Sequence, residues 1–177
     1  QIQNTFRGFL RTLVVLGLVY TATSLHAQPQ RGWEFSYGGP GEDQAEAILQ
    51  TDDRGYIMAG WSESFGTDND EDVYIVRTDV DGQQLWSQNH DLGFEERAFS
   101  MDKTTNGYIL AGDAMINPLD SRDLLLMEVD FRGNILWWNT YDNPNGIVQG
   151  FSVKTASDGG FIVAGSAESP SGDNEMY

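Results

Sequence analysis

The run "DNDED" from Asp68 to Asp72 sets carboxylates at alternate positions, Asp68, Asp70 and Asp72. Calcium takes about six to eight oxygen ligands, and alternating acids on a loop supply several of them. The remainder of an EF-hand loop is missing. The sixth position from Asp68 is Val73 where Gly is needed, and the twelfth is Asp79 where Glu is needed. A partial copy recurs at Asp173, Asn174 and Glu175, and a third, "NPLDSRD", sets Arg122 among its acids. A metal rule repeated along the chain is weakened by that arginine. A solvated acidic loop is the plainer reading, with calcium at Asp68, Asp70 and Asp72 as the alternative.

Two other carboxylate pairs, Glu42–Asp43 and Glu95–Glu96, have the residue types for glycoside hydrolysis. They occupy equivalent loops, and repetition argues for a structural task, since a catalytic centre uses one asymmetric set. No repeat is expected to carry an unmatched His, Arg or carboxylate. His90 follows a strand-like segment alone, so it reads as a surface or capping residue. The Gly-rich "GGPGED" at 38–43 has neither the spacing nor the Lys of a phosphate loop. The sequence therefore predicts no catalytic residue.

Positioning such groups requires a fold, and composition limits it. The chain has 177 residues, 10 Lys plus Arg against 27 Asp plus Glu, and a net charge of −17. So acidic a chain lacks the basic footprint for nucleic acid or anionic membrane. Gln1 and the final "GDNEMY" read as cut ends of a longer frame. Arg7 and Arg11 precede the apolar run Thr12 to Ala22, the pattern of an export signal. Residues 1–27 are read as that signal, with no stable membrane insertion once it is removed, and 28–177 as the folded part. There is no Cys, so an exported chain must rely on packing rather than disulfides.

The phrase "DVYIVRTDVDGQQLW" from Asp72 returns as "DLLLMEVDFRGNILW" from Asp123. The phrases "DRGYIMAGWSES", "TNGYILAGDAMI" and "DGGFIVAGSAES" align through Gly55, Gly107 and Gly160. Asn-Gly and Asp-Gly before alternating apolar residues signal hairpins. The B segments are apolar on both sides, so both faces should be covered. The pairs Ala59-Gly60, Ala111-Gly112 and Ala164-Gly165 suggest crowding between neighbouring sheets. Each period holds four short strands, A to D, and "WEFSY" from Trp33 matches strand D. Four antiparallel strands repeated at this spacing predict an all-β chain, an incomplete β-propeller of four-stranded antiparallel blades. About two and a half blades are present, near 33–90, 91–141 and 142–177. Asp79, Gly82 and Trp86, with Asp130, Gly133 and Trp137, form the repeated turn-and-docking set. Trp61 and Trp138 are the less committed aromatics.

The phrases "TDVDGQQLW" and "VDFRGNILW" resemble the repeats of pyrroloquinoline-quinone propellers, in which Trp four residues after the turn Gly docks on the next blade. Arg77 and Glu128 stand where that family has Ala, and the resemblance implies architecture, not quinone binding. The whole set is more similar to the roughly 50-residue repeats of secreted proteins from Bacteroidetes-type bacteria. That resemblance implies export, with type IX secretion through a sorting domain beyond Tyr177. The expected function is a secreted or cell-surface binding or scaffold module for an unknown protein or glycan. No cofactor is expected, calcium apart. A propeller enzyme, hydrolase or quinoprotein-like, with its site in other blades is the alternative.

Overall fold

The computed structural model describes residues 32–66, 70–116, 119, 121–144 and 146–177. The export signal assigned to 1–27 lies outside them. The described chain is all β. Strands β1 (Asp43–Gln50), β2 (Tyr56–Ser62), β3 (Asp72–Thr78) and β4 (Gln84–His90) form sheet I. Sheet II holds β5 (Glu95–Lys103), β6 (Gly107–Met115), β7 (Asp123–Asp130) and β8 (Ile135–Tyr141). Sheet III holds β9 (Val148–Thr155), β10 (Phe161–Glu168) and β11 (Asn174–Met176). Every pairing is antiparallel between sequence neighbours. The described residues contain no helix long and apolar enough to cross a membrane.

The sheets stack because each has two apolar faces and can bury neither alone. Ile57, Ala59, Val73 and Ile75 of sheet I meet Met101, Leu110, Leu125 and Met127 of sheet II in one core. The other face of sheet II, with Ile109, Ala111, Leu124 and Leu126, meets Val148 and Val153 of sheet III in a second.

Two expectations need correction. Residues 33–37 are expected as a strand from their sequence, but 32–41 belong to no sheet among the described residues. The glycines of the Ala-Gly pairs answer to their own sheet rather than to a neighbour. A Cβ on Gly60, Gly112 or Gly165 would fall within 2 Å of the carbonyl oxygen of Gln44, Arg97 or Gln149 on the adjoining A strand. Each contact sits at a bulge in that pairing. Ala59 and Ala111 do lie in the cores shared with the next sheet: a Cβ on Gly150 would lie 3.4 Å from the Ala111 methyl.

Candidate functional site

The acidic run contributes to a site together with a loop that the sequence analysis treated separately. Asp68 lies outside the described residues. Asp70 precedes β3, and Asp72, its first residue, is buried and accepts a hydrogen bond from Asn89 Nδ2 at 2.6 Å. Asp72, Asp91 and Glu96 bring one carboxylate oxygen each within 4.8 Å of one another. Glu96 is fully buried and accepts the backbone N–H groups of Leu92 at 2.9 Å and Phe94 at 3.2 Å. Burial raises its pKa to about 7; the Leu92 and Phe94 amides oppose that rise, and the Asp72 and Asp91 charges add to it.

The arrangement has two chemical readings. Three hard oxygen donors suit a divalent cation such as calcium. Alternatively, Glu96 closes its own loop by satisfying two backbone donors that burial would leave costly. The equivalent residue of sheet I, Asp43, does the same, accepting Gly39 N–H and the Ser64 hydroxyl at 2.9 Å each, and the Ser62 hydroxyl. In the next repeat Asp123 and Asp142 match Asp72 and Asp91, but Val148 replaces Glu96. Among the described residues the three acids therefore come together at one loop alone: Asp43 stands in for Glu96 on sheet I, but Gly38 stands where Asp91 is. Of the pair Glu95–Glu96, only Glu96 joins this group.

Glu95 turns instead to a second cluster, which contradicts the expectation that no repeat carries unmatched charge. Arg97 grips Asp113 with two hydrogen bonds, at 3.0 and 2.9 Å. Arg122 reaches Asp113 at 3.0 Å, Glu71 at 3.3 Å and Glu95. Gln149 of sheet III donates to Asp113 at 2.5 Å. Asp113 is fully buried, so three side chains hold one desolvated charge through four hydrogen bonds, and Glu71, just before β3, extends the network to the edge of sheet I. In the flanking repeats the Asp113 position is Trp61 or Ser166, and the Arg97 position is Gln44 or Gln149. The signal was visible as Asp in "AGDA" where the other phrases have Trp and Ser. Its partners are too far apart in sequence for spacing to join them.

The turn-and-docking set has consistent geometry. In each turn the leading carboxylate binds backbone amides: Asp79 takes Asp81 and Gln83 N–H, and Asp130 takes Arg132 and Asn134 N–H. Gly82 and Gly133 then adopt φ of 79° and 83°, a left-handed conformation that favours Gly. Above each glycine lies the Trp of the preceding repeat. A Cβ on Gly82 would stand 2.6 Å from Trp33, and one on Gly133 2.7 Å from Trp86. Four residues after each Trp, a second group binds the glycine carbonyl: Tyr37 Oη donates to Gly82 O at 2.6 Å, and His90 Nε2 lies 2.9 Å from Gly133 O. His90 is thus a half-buried contact between sheets rather than a surface residue, and burial lowers its pKa, against the pull of the Gly133 carbonyl. Trp137 packs toward Phe161 of sheet III and donates to Glu128 at 2.6 Å.

Arg77 and Glu128 hold the A–B turns of their own sheets. Arg77 pairs with Asp53 at 2.5 Å, and Glu128 accepts the Thr104 hydroxyl at 2.8 Å. Trp61 is half-buried, and Trp138 is more open. A cleft of about 260 Å³ opens between sheets I and II, lined by Thr51, Asp52, Asp53, Arg77, Lys103, Tyr108 and Phe131. It lies below the size of pockets that enclose small-molecule ligands, and Lys103–Asp52 and Arg77–Asp53 ion pairs line it. No family model matches the chain, and neither does any curated protein.

Proposed function

We propose that this chain is a β-propeller module of a secreted or cell-surface protein, acting in binding or as a scaffold rather than in catalysis. One observation carries the reading: Trp33–Tyr37 on Gly82 and Trp86–His90 on Gly133 repeat the same two contacts one period apart. Such contacts step each sheet onto the next, as blades of a propeller require. The charge cluster supports the non-catalytic part, because the buried Asp113 is taken up by Arg97 and Arg122. Export rests on Arg7, Arg11 and the apolar run that follows, and surface sorting on the repeat resemblance. A protein or glycan ligand would be taken by the loops of several blades at once. Calcium would enter at Asp72, Asp91 and Glu96.

The test is a pulldown on immobilised glycans and candidate surface proteins, with a melting curve in calcium and in chelator. Capture of one ligand class supports the binding module. Glycosidase or quinone-dependent turnover by the purified chain overturns the non-catalytic reading. A calcium-dependent rise in melting temperature that Glu96→Gln abolishes assigns the cation to the Asp72 group. A rise that survives the substitution removes it from there.

A further inference from the structure

One corner between sheets I and II is built unlike its repeat. Both sheets have four strands, and the corner lies between them rather than on an outer face. It is the cleft of about 260 Å³ between the Thr51–Asp53 turn and Arg77 of sheet I and Lys103, Tyr108 and Phe131 of sheet II. Between sheets II and III the same corner carries Glu128 for Arg77, Thr155 for Lys103 and Phe161 for Tyr108. That second junction forms without the cleft's side chains, so the stacking of sheets does not call for them.

Tyr108 is the residue that points to a ligand. It is 4% exposed, yet among the described residues its hydroxyl has no hydrogen-bond partner. A polar group so buried is normally paired, and leaving it unpaired is costly. The phenol lies within electrostatic reach of Arg77, Lys103, Asp52 and Asp53, the charged groups of the cleft, so its hydroxyl faces them. Its ring meets Phe131 edge to face at 5.6 Å, and Phe131 is 48% exposed, which leaves aromatic surface open at the mouth. The charges are paired with one another. Lys103 Nζ donates to both oxygens of Asp52 at 2.6 Å, and Arg77 Nη2 to both of Asp53 at 2.5 and 2.6 Å. Two cations against two anions leave no net charge to recruit an ion. The carboxylates keep further lone pairs, and the Lys103 ammonium keeps a third N–H.

We propose that this cleft binds one uncharged sugar ring at the end of a glycan. An aromatic face takes the C–H side of the sugar, while carboxylate acceptors, an ammonium donor and the Tyr108 hydroxyl surround it. That set matches a molecule with several hydroxyls and no charge. Hydroxyls bond to the ion pairs and leave them intact, whereas an anion or a cation would have to break one. The cleft is smaller than a pocket that encloses a whole ligand, so the glycan enters by one end and the rest of it stays outside. The proposal rests on the binding-module reading above and gives that module's ligand class and its place.

Neighbouring repeats supply the test variants. Tyr108→Phe takes the residue found at Phe161, and Phe131→Val the residue found at Val80, so both side chains already occur at equivalent positions of this fold. The methyl pyranosides of glucose, mannose and galactose are titrated against the full chain by saturation-transfer NMR, with glucuronate and glucosamine as charged probes. At least one uncharged probe is expected to bind with a dissociation constant on the order of 1 mM. Tyr108→Phe should weaken it about three- to tenfold and Phe131→Val about tenfold, with circular dichroism unchanged. Trp138→Ser, which copies Ser87 and lies outside the cleft lining, should leave binding as it is. Binding that both cleft variants leave unchanged, or tighter binding of the charged probes, overturns the proposal. No sugar bound while the pulldown captures a protein sinks the cleft and keeps the module. A sugar that binds as expected and is also turned over as a glycoside sinks the non-catalytic reading and keeps the cleft.

Discussion

Sheet II and sheet III are built from the same phrases, and they differ in what covers them. In sheet II both faces are closed: Leu110 and Met127 face sheet I, and Ile109 and Leu126 face sheet III. In sheet III only the face toward sheet II is closed, with Val153 inside and Ile162 outside. Equivalent residues therefore have unequal energetic weight. The strand pattern is local, whereas burial, which supplies most of the stabilisation, comes from the neighbour.

The largest way to break the comparison is Asp113→Ala. It leaves two half-buried arginines without their shared, fully buried carboxylate, and a loss of about 3 kcal/mol is expected in the unfolding free energy from denaturant melts. A loss below about 1 kcal/mol would mean that the network does not hold the sheets together. Next come the paired substitutions Ile109→Ala and Ile162→Ala. The first empties a closed core and should cost about 2–5 kcal/mol; the second, on an exposed side chain, should stay within about 0.5 kcal/mol. Equal losses would show that the outer face is covered in solution.

The acidic site sharpens the contrast through pH. The Glu96 pKa is raised to about 7 in the folded chain, so its proton stabilises the fold fully below about pH 4.5, the unfolded value. That contribution, on the order of 3 kcal/mol, is lost as pH rises toward 7. Glu96→Gln should flatten the melting temperature over that window, and an unchanged slope would place the titration elsewhere. His90 works with the opposite sign. Its lowered pKa favours stability above the unfolded value of about 6.5, lost as pH falls. The smallest effect separates backbone strain from docking. Gly133→Ala and Gly159→Ala both place a side chain at positive φ, but only Gly133 has Trp86 above it. Gly159→Ala should cost about 1 kcal/mol, and Gly133→Ala about 1 kcal/mol more, in thermal melts. Equal costs would show that Trp86 yields freely.

Much of the fold was legible, because the signals were local. The alternation in "GYIMAGW" and "GYILAGDAM" marks strands, and Asp79–Gly82 and Asp130–Gly133 mark turns. What escaped was set by company at a distance. Residues 33–37 carry strand D chemistry, and among the described residues they make its Trp and Tyr contacts without pairing as a strand. Gly60 and Gly112 were read as small for a neighbouring sheet, when a bulge in their own sheet requires it. In the candidate site the acids of "DNDED" were legible, but Glu96 joins Asp72 only through the fold. The Asp113 cluster draws on residues 71, 95, 97, 113, 122 and 149, and no spacing rule links them.

The docking contact also has a direction in time. Trp33 waits for Gly82, and Trp86 for Gly133, each in the repeat made after its own. A chain emerging from its N-terminus therefore holds each indole uncovered until the following repeat has appeared. Sheet I cannot finish its packing before sheet II exists. Burial of each indole therefore lags one repeat behind the chain that has emerged, and until then one aromatic ring stays in solvent.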